Sequence, residues 1–156
     1  MKLVKTKEDG LKDNYLELHY DKVDSETNAV LLRLKSTLKY IEGSSDGTRV
    51  TIPLTDIYYI ETVDRKTFAY TKDMSIEINE TLRDIIDNYS DAGFVRISKS
   101  SVVNLYKIQK LQGDLNMRVI IYLKNSEKLI MNRSYRTDFY DRLNKLQGRK
   151  KHEDNR

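Results

Sequence analysis

The sequence predicts a mainly β fold, α+β overall, in which short strands form hairpins and a few short helices accompany them. Apolar and polar residues alternate over short stretches, which is the period of a strand with one buried face. Turn sequences such as Asp46-Gly47 separate neighbouring stretches. Amphipathic helical spacing is confined to a few segments, among them the one that holds Leu82, Ile85 and Tyr89.

The length and composition are those of a polar globular protein. The 156 residues suffice for one domain with its own core plus an N-terminal extension. Cysteine is absent, which excludes disulfides and thiol chemistry and fits a reducing compartment. No stretch is long and apolar enough to cross a membrane, and residues 1–15 lack the apolar core of a signal peptide. We therefore expect a cytoplasmic protein.

The N-terminal part of the chain begins with residues 1–14, which are charged and without period and indicate a frayed lead-in. Alternation over residues 15–23 predicts a strand. Asp24 or Ser25 would then cap a helix over about residues 26–38, because short polar side chains satisfy the first backbone N–H groups. The broad apolar face of this helix predicts burial against the following domain or against a partner subunit.

These patterns divide the chain into three parts. Residues 1–50 are expected to form a strand–helix extension that leads into the domain. Residues 51–147 are expected to form the strand-rich domain. Residues 148–156, which include Arg149-Lys150-Lys151, are expected to form a basic, disordered tail.

The elements of the domain are expected in a definite order. Pro53 ends a strand, where its missing backbone donor is tolerated. Asn79 would cap a helix that ends at Gly93, and Ser134 would cap a last helix that Gly148 stops. Strands are expected at residues 39–44, 48–54, 56–61, 67–71, 75–78, 94–99, 108–111, 117–123 and 128–131.

Catalytic chemistry finds little support in the sequence. The two histidines, His19 and His152, show no ligand spacing, and no cluster of His, Cys or carboxylates predicts a metal site. The motifs typical of nucleotide binding and of activated serine nucleophiles do not occur. Asp56 and Glu61 could act as a carboxylate pair, but residues that bracket an apolar strand more often end it or pair with lysine. We therefore expect neither an enzyme nor a cofactor or metal, and a small carboxylate hydrolase is the least favoured alternative.

The charges are distributed unevenly along the chain. Residues 1–93 hold 13 Lys/Arg and 18 Asp/Glu, whereas residues 94–156 hold 15 Lys/Arg and 6 Asp/Glu. The asymmetry survives when the basic residues of the tail are discounted. A basic half of this kind is typical of a surface that faces a polyanion.

Cations and small hydrogen-bond donors gather at three predicted loops or junctions. Any one of them alone is weak evidence, because a lysine in a turn is usually only solvated. The central one lies in FVRISKSSVVNLYKIQKL, residues 94–111, where short apolar strands would anchor it and no acidic residue occurs. The three groups are Arg65 and Lys66; Ser98, Lys99 and Ser100; and Arg133, Ser134 and Arg136.

Three segments carry a resemblance to a known family. DIYYIE at residues 56–61 is similar to the family's D-I-x-Y-I-E and is followed by Arg65-Lys66-Thr67. FVRISKSSVVN at residues 94–104 is similar to F-x-R-I-H-R-S-x-x-V-N, and KLIMNRSY at residues 128–135 to x-L-x-V-S-R-x-Y. With these segments in order, residues 54–146 resemble a LytTR-type DNA-binding domain, which is found in bacterial response regulators and in stand-alone regulators.

The resemblance implies about ten short strands in small sheets, with short helices packed on them. Its loops would enter successive major grooves of bent DNA at paired direct repeats, so that a homodimer or two paired copies would act together. Lys99 is the residue most expected to contact a base or a phosphate, followed by Arg133, while Asn104 would hold the local turn through backbone hydrogen bonds. The DNA-binding residues would be Arg65, Lys66, Thr67, Ser98, Lys99, Ser100, Arg133, Ser134 and Arg136.

This sequence departs from the family pattern at the central contact. Ser98 stands in place of the usual histidine and Lys99 in place of the usual arginine, and Asn132 occupies a position where serine is common. Lysine lacks the two-donor fork of arginine, so guanine readout here is expected to be weaker or to fall to another loop.

The expected function is that of a bacterial, cytoplasmic transcription regulator that binds double-stranded promoter DNA. A phospho-accepting receiver domain does not fit into the first 50 residues, so the chain resembles the stand-alone regulators of the family. Such regulators are often encoded beside a small membrane protein that restrains them. The resemblance therefore implies a co-encoded membrane inhibitor as a partner, and residues 1–50 would serve dimerisation or contact with this inhibitor. The alternative is a protein-interaction module whose basic face binds an acidic partner or a membrane surface.

Overall fold

The computed structural model describes residues 1–12 and 15–147, with the backbone alone at residues 32, 33 and 35–37. The chain divides into two compact units, one from Met1 to Lys39 and a second that begins at Tyr40. The expected boundary between residues 50 and 51 instead falls within a strand of the second unit. The expected tail and its Gly148 stop lie outside the described residues.

The first unit contains the predicted helix but not the predicted strand. Helix α1 spans Ser25–Leu38, and Asp24 accepts a hydrogen bond from the Thr27 N–H at 2.8 Å, as an N-cap does. This backbone bond holds the pKa of Asp24 below its ordinary value. The strand expected over residues 15–23 is wrong, and the Tyr15 side chain there is 63% exposed. A strand needs a neighbour to pair its backbone, and the described part of this unit contains no strand.

The second unit contains, within residues 40–147, ten short strands and two α-helices, which confirms the predicted fold class. All strand pairs are antiparallel, in a seven-stranded sheet of order β2-β1-β5-β4-β3-β7-β6 and a three-stranded sheet of order β10-β9-β8. The elements are β1 (Tyr40–Ser45), β2 (Thr48–Pro53), β3 (Tyr59–Val63), β4 (Lys66–Tyr70), β5 (Ser75–Ile78), α2 (Leu82–Tyr89), β6 (Phe94–Arg96), β7 (Ser101–Asn104), β8 (Ile108–Gly113), β9 (Val119–Leu123), β10 (Lys128–Met131) and α3 (Arg136–Leu146).

Two-residue turns with left-handed backbone close the first two hairpins. Asp46 and Gly47 have φ of 49° and 76°, the combination that suits the twist of paired strands. Between β3 and β4, Asp64 and Arg65 have φ of 49° and 68°, although neither residue is glycine. Aspartate tolerates that backbone conformation, whereas a residue with a long side chain does so less readily. The strain of the second turn therefore lies at Arg65.

Two hydrophobic cores lie on opposite faces of the seven-stranded sheet. In strand β3, Ile60 belongs to the core on which α2 packs, and Tyr59 belongs to the core shared with the three-stranded sheet and α3. The Tyr59 ring stacks on Tyr70 with 4.4 Å between ring centroids, and burial raises the pKa of the Tyr59 phenol above its ordinary value. Burial on both faces explains why two apolar residues, Tyr59 and Ile60, follow one another at the start of β3.

The helix caps differ from those expected. Thr81, not Asn79, caps α2, and it forms a reciprocal pair of hydrogen bonds with Asp84. A 3-10 turn, Ser90–Ala92, follows α2 and ends at Gly93, which has φ 95° and terminates the helical segment as predicted. Ser134 is not the cap of α3, because it lies inside a 3-10 turn, Arg133–Tyr135, that leads directly into the helix.

We predict that Gly43→Ala destabilises the second unit. An added Cβ at this position in β1 would lie 2.5 Å from the Glu77 backbone oxygen and 2.6 Å from Ile76 Cγ2. Overpacking of this kind costs about 1–3 kcal/mol. Gly113→Ala is the matched control, because nothing lies within 4 Å of a Cβ built there. Equal unfolding free energies of the two variants in urea would contradict the expectation.

Candidate nucleic-acid interface

The three predicted contact sites meet around one turn. Residues 97–100 connect β6 to β7, and two backbone hydrogen bonds join this turn to the other two sites. The Thr62 N–H, near the tip of the β3–β4 hairpin, donates to the Ser100 oxygen at 2.8 Å. The Asn132 N–H, which precedes Arg133, donates to the Ile97 oxygen at 2.9 Å. The structure therefore brings together the loops that the sequence separates.

The central turn is held by its own side chains. The Arg96 guanidinium donates through Nε to the Ser98 oxygen at 3.1 Å and through Nη2 to the Lys99 oxygen. Ser98 Oγ accepts from the Ser100 N–H at 3.2 Å. Lys99 and Ser100 are exposed and Ser98 is half-buried. In the sequence, Arg96 matches the arginine of the F-x-R-I-H-R-S pattern, but it is not among the predicted contact residues.

The first hairpin presents fewer groups than expected. Arg65 is exposed at the tip, and Lys66 is exposed but binds Glu77, with 3.0 Å between Nζ and Oε2. Thr67 is 8% exposed and pairs with Thr62 and Ile78 inside the sheet. A residue in this position cannot reach a ligand beyond the hairpin tip, so Arg65 is the group best placed for contact.

The third site lies where β10 leads into α3. Arg133 and Ser134 are exposed in the 3-10 turn. Arg136, the first residue of α3, is half-buried, and its Nη1 lies 3.4 Å from the Met117 oxygen in the β8–β9 loop. Arg133 therefore projects its charge to solvent, whereas Arg136 ties the site to a neighbouring loop.

Asn104 makes the backbone hydrogen bonds expected of it. Its side chain is buried; Nδ2 donates to the Ile57 oxygen at 2.8 Å and Oδ1 accepts from the Tyr106 N–H at 3.1 Å. The first bond joins the end of β7 to the segment before β3, and the second holds the turn that follows β7. Asn104 thus fixes the base of the sheet region that carries the central turn.

The remaining candidates for chemistry do not converge. Asp56 is exposed in a 3-10 turn, while Glu61 lies on β3 and accepts from the Ser101 hydroxyl at 3.3 Å. Within residues 1–12 and 15–147, no group of three His, Cys, Asp or Glu side chains is placed to hold a metal ion. Across the same residues, no helix has the length and apolar character needed to span a membrane.

Comparison with known proteins gives a consistent match to this part of the chain. The sequence model of the LytTr DNA-binding domain matches residues 47–144. A LytTr DNA-binding domain from Bacillus cereus has the same fold, with a TM-score of 0.63 and 19% identity, over 67% of this chain and 95% of that one.

Two Staphylococcus aureus proteins, from strains bovine RF122 / ET3-1 and NCTC 8325 / PS 47, are named as HTH-type transcriptional regulators. Each is 23% identical over 133 residues, which is 84% of this chain and 90% of the relative. The similarity to both therefore extends beyond the domain into the N-terminal part of the chain.

We predict that Asn104→Ala destabilises the second unit more than Asn125→Ala. Removal of the Asn104 side chain leaves the Ile57 oxygen and the Tyr106 N–H without partners, at about 1–3 kcal/mol for each group that stays buried. Asn125 accepts a single exposed hydrogen bond from the Glu127 N–H. Urea unfolding of both variants checks this, and similar losses would show that the Asn104 bonds do not matter.

Proposed function

The chain belongs to the LytTR family of DNA-binding domains, and we propose that it is a transcription regulator that recognises specific sequences in double-stranded promoter DNA. The observation that carries this proposal is the meeting of three loop sites around the turn of residues 97–100. The two S. aureus relatives, which are named as transcriptional regulators, support the regulatory part.

The exposed side chains at the three sites offer both charge and hydrogen-bond donors to DNA. Arg65, Lys99 and Arg133 each come from a different loop, and all three are exposed. Loops spaced along one end of a sheet can contact phosphates that set the register and base edges that set the sequence. We propose that two copies act together on paired direct repeats, each through these loops.

The helices of the second unit favour recognition by loops over recognition by a helix. In a helix-turn-helix protein, a short turn joins two helices and the second one enters the major groove. Here α2 is followed by a 3-10 turn, Ser90–Ala92, and then by strand β6. Among the described residues, no helix of the second unit follows another directly through a turn. The name of the S. aureus relatives therefore supports a role in transcription regulation, but not the insertion of a recognition helix into the major groove.

We also propose that the first unit regulates the protein, through dimerisation or through contact with a co-encoded membrane inhibitor. Several of its apolar side chains are exposed, including Leu3, Val4, Leu16 and Val23. Exposed apolar groups in one small unit are typical of a surface that another protein covers. The sequence similarity of the S. aureus relatives reaches into this part of the chain as well.

We expect Lys99→Ala and Arg133→Ala each to weaken binding to the specific site. Loss of one good contact costs about 1–3 kcal/mol, which is roughly a 5- to 150-fold change in Kd. Fluorescence anisotropy across a salt series would compare DNA from upstream of the protein's own gene with a scrambled sequence. A steep dependence on salt is expected because phosphate contacts release bound cations.

Lys72→Ala and Arg83→Ala are the matched controls for these variants. Lys72 is exposed in the turn after β4, at the opposite end of that strand from Lys66, and Arg83 is exposed on α2. Both controls should bind as the unchanged protein does. Equal and weak binding of the unchanged protein to both DNAs, together with binding to an acidic protein or to anionic vesicles, would favour an interaction module instead.

Removal of residues 1–39 should change the oligomeric state, the DNA affinity, or both, because the first unit would carry the proposed regulatory contact. The cut follows the boundary between the two compact units. Sedimentation velocity gives the oligomeric state, and anisotropy on the same DNA gives the affinity. If neither quantity changes, the first unit has no role in dimerisation or in DNA binding.

A further inference from the structure

The carbonyl oxygens of the central turn are all occupied by donors of the protein. The backbone oxygens of residues 97–100 accept from the Asn132 N–H at 2.9 Å, from Arg96 Nε at 3.1 Å, from Arg96 Nη2, and from the Thr62 N–H at 2.8 Å, in chain order. A tight surface turn usually leaves such oxygens to water. This turn leaves no backbone acceptor without a partner.

The polar groups that remain outward at the turn are mainly donors. Lys99 contributes an exposed ammonium group, and Ser100 and Ser98 contribute hydroxyls that lie 3.5 Å apart. A carbonyl oxygen carries partial negative charge and would repel a phosphate oxygen at close range. A turn whose carbonyl oxygens are all occupied by protein donors therefore suits a phosphate group better than a neutral ligand.

Arg96 donates two of the four hydrogen bonds to these carbonyl oxygens. Its guanidinium spans two successive carbonyls, which requires the planar arrangement of several N–H groups that lysine does not have. Arg96 forms none of the ion pairs found among the described residues. The two turn carbonyls are therefore the partners that hold its guanidinium.

We propose that Arg96 is the positioning residue of this site: by occupying the Ser98 and Lys99 carbonyl oxygens, it shapes a donor-rich turn that receives a DNA phosphate through Lys99. Arg96 acts through the turn and does not itself contact the DNA. This assignment rests on the proposed function, because it names the group within the DNA that the central turn binds.

The test compares Arg96→Gln, Arg96→Lys and Lys99→Ala by anisotropy on DNA from upstream of the gene. Arg96→Gln should lower the affinity roughly tenfold, as the loss of one charged contact would. Arg96→Lys should not restore it, because a lysine keeps the charge but cannot hold both carbonyls. Arg83→Gln is the control for the loss of one arginine outside the site, and it should leave the affinity unchanged.

Coupling to Lys99 separates positioning from direct contact. When Lys99 is already alanine, Arg96→Gln should cause little further loss, because the group that it positions is absent. Additive losses, or rescue by Arg96→Lys, would show that Arg96 contacts the DNA itself and would overturn the assignment. Melting curves of each variant identify losses that come from unfolding, and Arg96→Lys decides the question if Arg96→Gln does not fold.

A second measurement keeps this assignment distinct from the proposed function. Inorganic phosphate, titrated into the 15N-labelled protein, should shift the backbone amide resonances of Lys99 and Ser100, and Arg96→Lys should weaken these shifts. Failure of the unchanged protein to select its DNA would count against the proposed function alone. The absence of phosphate-dependent shifts at the turn, or equal shifts in Arg96→Lys, would overturn the role given to Arg96.

Discussion

Strands β3, β6 and β7 bury side chains on both faces of the seven-stranded sheet, and the two resulting cores hold the second unit together. Along β6, Phe94 faces one core and Val95 the other, and Val102 and Val103 do the same along β7. A shift of one residue in the pairing would exchange the two faces of a strand. Because both faces are filled, the register of these strands is fixed on both sides.

The same constraint explains why the loops at one end of the sheet can serve as a site. The turn of residues 97–100 begins at the end of β6 and leads into β7, so its position follows from the packing of both strands. Asn104 anchors the far end of β7 to the Ile57 backbone. The turn is therefore supported at both ends, and its side chains are presented from a rigid base. Rigid presentation lowers the entropic cost of binding.

Features that depend on neighbouring residues in the sequence were predictable, whereas features that depend on contacts with distant parts of the chain were not. Asp46-Gly47 marked its turn because the required backbone conformation is local to those residues. Residues 15–23 have the alternation of a strand, but alternation does not supply the neighbouring strand that pairing needs. Thr67 matched a contacting loop by position, yet the pairing of β4 with β3 and β5 buries it. Arg96 matched the arginine of the family pattern, but its role was not predicted, because that role lies in hydrogen bonds to backbone carbonyls that only the folded chain brings within reach.

The strained turn between β3 and β4 bears on how stability and function are divided within this fold. Glycine at position 65 would relax the left-handed backbone, which costs about 1–2 kcal/mol for a residue with a long side chain. That relaxation would, however, remove the exposed guanidinium from the hairpin tip. At position 64 aspartate tolerates the conformation, so a glycine there would relieve little strain and would remove a carboxylate beside that cation. The two neighbours therefore differ as targets for engineering: Asp64→Gly makes the loop more basic at little gain in stability, whereas Arg65→Gly raises stability and removes the exposed cation.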